Sequence, residues 1–172
     1  DGASTSLINQ EEDDSLADVL QIGDGNSSTI NQSGDYSQAD VDQEGEDNVS
    51  EIVIQDVAGG TTASFASALV EQIGTGNDSS IEQTSAPSEA IVSQDGTDNV
   101  SSITQSAVNA LATVTQEGTG NESDIFQTGT DMTASVTQMA DGNFSEISQG
   151  GSTNSATVGQ YSNGNSSSVI QT

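Results

Sequence analysis

The sequence predicts an all-β solenoid of about seven 22-residue coils, with two strands per coil forming two parallel in-register sheets and Gln/Asn ladders inside. Three observations predict it. Nearly the same phrase recurs from Gln21, Gln43, Gln72, Gln94, Gln116, Gln138 and Gln160, a 22-residue spacing broken once by seven extra residues after Gln43. Inside each repeat the recurring residues sit two apart, which places them on one face of a β-strand. The composition, with hydrophobic residues at 30% and aromatics at 3% of 172 residues, is too lean for a broad globular core. A thin core of this kind must be continued by stacking.

The clearest copy is QEGTGNESDIFQTGTDMTASVTQ, residues 116–138. Its first strand is marked by Asn121, Ser123, Ile125 and Gln127, and its second by Ala134, Val136 and Gln138. Gly118 falls between strands, where a turn is needed. Taken from the N-terminus, residues 1–14 hold a half-repeat (Ser4, Ser6, Ile8, Gln10) and the acidic run Glu11, Glu12, Asp13, Asp14, and are expected to form a tail outside the solenoid. Residues 15–172 form the repeat solenoid. Its ladder positions are Gln21, Asn26 and Gln32 in the first coil, and Gln43 and Asn48 in the second. The second coil reaches its closing Gln55 one residue late, which predicts a bulge near Val53 and Ile54.

An insertion loop is expected at 56–65, as a lateral excursion on one side of the stack. Coils three to five resume the ladder with Gln72, Asn77 and Gln83, then Gln94, Asn99 and Gln105, then Gln116, Asn121 and Gln127. Pro87 sits in a turn, where a missing amide donor does least harm. Coils six and seven replace the turn glycine by Ala140 and Ser162, yet keep Gln138, Asn143, Gln149, Gln160, Asn165 and Gln171.

The interior assignment follows from hydrogen bonding and charge. Like amides stacked about 4.8 Å apart can each donate to the next and accept from the last. A buried carboxylate without a cation is very costly, and the acidic residues avoid the marked columns. They fall on outward strand positions (Asp18, Asp40, Glu51, Asp124, Glu146) or turns (Asp24, Glu44, Asp47).

The net charge of −27, with no Lys, Arg or His, removes any electrostatic basis for binding nucleic acid or an anionic membrane. No apolar run approaches membrane-spanning length. The absence of Cys, His and Lys, and of any carboxylate pair that stands out from the repeat, argues against an enzyme, a cofactor or a metal site. A glycosidase-like carboxylate pair has no distinct residues to carry it. Gly23-Asp24-Gly25-Asn26 lacks a full calcium ligand set and reads as a solvated turn. The seven Asn-x-Ser matches follow from the repeat itself, and an inward ladder Asn is not a glycan acceptor. Phe126, Phe144 and Tyr161 fall on outward or turn positions.

The repeat resembles the curlin motif of curli, the bacterial extracellular amyloid, in its Gln-x-Gly-x-x-Asn core and closing Gln. The resemblance spans residues 15–171, and five coils keep every element of the first strand. It implies a secreted cross-β subunit of surface fibres in biofilm matrix, polymerising head to tail with itself, with nucleator and secretion partners. The start at Asp1, without a leader, fits a mature secreted product. Curlin subunits usually carry some basic side chains and commonly have Ala where this chain has Ser28, Ser79 or Ser123. The alternative is a monomeric solenoid adhesin or ice-binding surface protein. An ice-binding face wants a regular outward Thr array, and the outward columns here are mixed.

Overall fold

A computed structural model describes residues 2–11, 14–55 and 65–172. Among them are thirteen strands and no helix. One stack of strands comprises β1 (Thr5–Gln10), β3 (Ser27–Gln32), β5 (Val49–Ile54), β7 (Asp78–Gln83), the first halves of β9 (Val100–Thr119) and β10 (Glu122–Met139), then β11 (Phe144–Ser152) and β13 (Ser166–Gln171). The other comprises β2 (Leu16–Ile22), β4 (Gln38–Glu46), β6 (Ala66–Thr75), β8 (Ser88–Thr97), the second halves of β9 and β10, and β12 (Ser155–Gln160). All pairings are parallel, and like stacks on like. Ile30, Ile52, Ile81, Ile103, Ile125, Ile147 and Val169 form one column.

The core lies between the two stacks. Its apolar part is the isoleucine column facing the alanine and valine columns (Ala39, Ala68, Ala90, Ala112, Ala134; Val41, Val70, Val92, Val114, Val136). Strand residues alternate between buried and exposed along β7 and β12, the pattern expected of strands with one face inward. The acidic outward positions stack against each other, as in Asp18 with Asp40 and Asp124 with Glu146.

Four expectations are corrected. The half-repeat at the N-terminus is not outside the solenoid: Thr5–Gln10 pairs residue for residue with Ser27–Gln32, because the edge of β3 offers unpaired backbone groups that a matching strand can satisfy. There is no bulge in coil two. β5 runs straight, Ile54 stands in the glutamine column opposite Gln32 and Gln83, and Gln55 lies just past the strand, exposed. A one-residue slip would have turned a whole rung inside out.

The turn glycine is also more than a spacer. Gly45, Gly74, Gly96 and Gly118 pair with one another within extended strands, at φ values of 114–138°. The corner is thus sharp but still hydrogen-bonded, and Glu44 belongs to β4 rather than to a turn. The expected insertion loop, apart from Phe65, and Glu12 and Asp13 of the acidic run lie outside the described residues.

Candidate assembly site: amide ladders and open ends

The ladder residues come together as the two-residue spacing requires. In the second stack, Nε2 of each glutamine donates to Oε1 of the next: Gln21 to Gln43, Gln72, Gln94, Gln116, Gln138 and finally Gln160, each step at 2.8–2.9 Å. The other Nε2 hydrogen crosses to a backbone carbonyl of the opposite stack, as from Gln94 to Asp78 at 3.0 Å. Each glutamine therefore ties one rung to the next and one sheet to the other.

The first stack has the same ladder in two pieces. Gln10 donates to Gln32 at 2.9 Å, and Gln83, Gln105, Gln127, Gln149 and Gln171 continue at 2.8–3.0 Å. Ile54 interrupts them. Consistently, Gln83 Oε1 is buried without a hydrogen-bond partner. The asparagines run along a corner in the opposite sense: Asn99 N–H and Nδ2 both donate to Asn77 Oδ1 at 3.1 Å, and Nδ2 also reaches Gly118 O at 3.0 Å. Asn26, Asn48, Asn77, Asn99, Asn121 and Asn143 are buried, while Asn165 at the end of the stack is half-buried.

A family model described as the curlin associated repeat matches residues 13–49, 88–118, 108–139 and 140–172, more than half of the chain. The chain belongs to the curlin repeat family. A search of curated proteins found no match. The internal unmatched stretch, 50–87, contains Ile54 in the glutamine column and the seven extra residues. Curlin repeats are structural repeats, and among the described residues no group of three or more acidic side chains is placed to hold a metal.

One column of this curlin solenoid was not legible as a liability. Ser28, Ser50, Ser79 and Ser101 are buried, and their hydroxyls have no hydrogen-bond partner. Removing an unpaired buried hydroxyl relieves its desolvation. Ser79→Ala is expected to stabilise the chain by about 1 kcal/mol, measured as an upward shift of the urea midpoint; an equal loss of stability would mean that the hydroxyl is paired in solution.

The two ends of the stack differ from its middle. At the C-terminal end, Gln160 and Gln171 spend one Nε2 hydrogen on Phe144 O and Ser155 O and have no further rung to receive the other. At the N-terminal end, Gln21 opens its ladder as an acceptor, and β2 alternates only between exposed and half-buried. Leu16, Leu20 and Ile22 are exposed there, as is Ile170 at the other end. Donors at one end face acceptors at the other.

Proposed function

We propose that this chain is a structural subunit that polymerises end to end into extracellular cross-β fibres of the curli type, within biofilm matrix. The observation that carries the reading is the polarity of the ends: the unused amide donor on Gln160 matches the acceptor that Gln21 presents at the other end of the same column. Family membership supports the extracellular setting and self-assembly, together with nucleator and secretion partners. The ladder residues named above would then serve as the self-assembly surface, since an amide at a chain end makes the same bonds to a neighbour as it makes inside. Electron microscopy of the purified chain after incubation tests this. Fibres are expected; persistent monomers would favour a solitary adhesin.

Charge sets the conditions of assembly. Two unit charges about 5 Å apart in water repel by roughly 1 kcal/mol, and no cationic side chain offsets the net charge of −27. Burial pushes the carboxyls of Asp40, Asp78 and Asp124 above the ordinary aspartate value; Asp42 and Asp18 add to the effect at Asp40, where the Val41 N–H opposes it, and Glu122 and Glu146 add to it at Asp124. A carboxyl whose pKa is raised on folding binds its proton more tightly in the folded state. Its contribution is present below the unfolded value and is lost as pH rises through the folded one. The fibre-formation lag is therefore expected to shorten as pH falls from neutrality towards the raised aspartate values, and as salt increases. A lag that stays flat between about 10 and 500 mM salt, roughly a seven-fold change in screening length, would count against a charge-limited assembly.

A further inference from the structure

We infer that β1 is a stand-in for the last strand of a neighbouring copy: it covers the edge of β3 in the free chain and must leave when that copy docks. The inference rests on the end-to-end assembly proposed above. It comes from a count. The first stack holds eight strand levels, β1 to β13, and the second holds seven, β2 to β12. If intact chains stacked, β1 would sit on the preceding copy's β13, and β2 would lie two levels above its β12. One level of the second stack would be empty at every junction, with its backbone groups unpaired. With β1 removed, both stacks hold seven levels. β3 then lies on the neighbour's β13 and β2 on its β12, and both sheets run through the junction.

The side chains favour the exchange. In the new register Ile30 meets Val169, Gln32 meets Gln171, Val19 meets Val158 and Gln21 meets Gln160 of the neighbour. Gln32 Oε1 keeps a donor, since Gln171 Nε2 takes the place of Gln10 Nε2. Gln21 Oε1 gains one from Gln160. At the asparagine corner β1 is a poor imitation, because Ser4 stands where every other rung has Asn. Its Oγ lies 3.3 Å from Asn26 N, whereas the equivalent Asn-to-Asn bonds are 2.9–3.1 Å. Asn165 would restore the full bond. All six residues of β1 are exposed, Leu7 to 60%, and β1 covers one strand edge where the neighbour covers two. A strand added at a sheet edge and replaced by a better-matched strand from another copy is an established mode of recognition.

The test locks β1 in place. Leu7 and Thr29 are register partners on the outward face, and the chain has no cysteine, so L7C/T29C can be oxidised to a single cross-link. A control lock, S80C/S102C, ties β7 to β9, which never separate. Assembly is followed by light scattering and microscopy, with circular dichroism confirming that both locked chains keep the solenoid. The β1 lock is expected to slow fibre growth at least about tenfold relative to the control lock, and reduction is expected to restore it. Deletion of residues 1–14 is expected to shorten the lag. Equal growth of the two locked chains overturns the displacement of β1 while leaving end-to-end assembly standing. Absence of fibres from the wild-type, truncated and reduced chains alike overturns the assembly reading and this inference with it.

Discussion

Asn99→Leu is expected to destabilise the solenoid by about 4 kcal/mol. Asn99 is fully buried. Its Oδ1 accepts the N–H and Nδ2 of Asn121 at 3.0 and 3.1 Å, and its Nδ2 donates to Asn77 Oδ1 and Gly118 O. Leucine strips a partner from the buried Asn121 N–H and from the half-buried Gly118 O. Each orphaned group costs roughly 1–3 kcal/mol. Gln94→Leu should cost less, because the chain already contains its natural counterpart: Ile54 interrupts a glutamine column, and the fold accommodates the unpaired Gln83 Oε1. Both inward changes should slow assembly. The outward Thr97→Leu, at an exposed position, should fall within about 0.5 kcal/mol of wild type. Urea denaturation and fibre-growth rates of the three variants check this, and equal behaviour would overturn the assignment of faces.

Gly96→Ala is expected to cost about 3 kcal/mol or more, combining strain at positive φ with a backbone clash. At φ 138° a Cβ on Gly96 would stand 2.0 Å from the carbonyl oxygen of Gly118. Neither atom can move, because both belong to paired rungs. The chain carries one alanine in this column, Ala140 at φ 126°. It occurs where the rung above gives way: pairing of β10 with β12 stops at Gln138 and Gln160, so the oxygen that would meet its Cβ is no longer held in register. By contrast Gly120 has open space around its Cβ position, and Gly120→Ala should suffer only the backbone strain of φ 65°. Stability measured by denaturation should therefore fall clearly further for the Gly96 variant than for the Gly120 variant.

Most of the fold was legible because the repeat is read twice by the same physics. A spacing of two assigns Gln94, Val92 and Ala90 to one face, and a spacing of 22 places each of them on its own kind in the next coil. For amides, like on like is also the arrangement that leaves none unpaired in an apolar interior. The acidic residues confirmed the assignment from the other side, since among the described residues no buried column contains one. The buried, unpartnered hydroxyls of Ser50, Ser79 and Ser101 were harder to read, because a serine at an inward position looks like any other polar member of the repeat until its surroundings are known.

The sequence by itself determined which face of each strand is inside, that the interior is laddered, and that coils stack in register, all consequences of local alternation and a constant period. Tertiary structure alone decided three things. It placed Ile54 rather than Gln55 in the glutamine column, because a paired rung holds its register against a single displaced residue. It made Gly45, Gly74 and Gly96 obligatory through a carbonyl oxygen in the next coil. It seated β1 on β3, because whether a half-repeat joins a stack depends on a bare sheet edge about 22 residues away in the chain that no local pattern records.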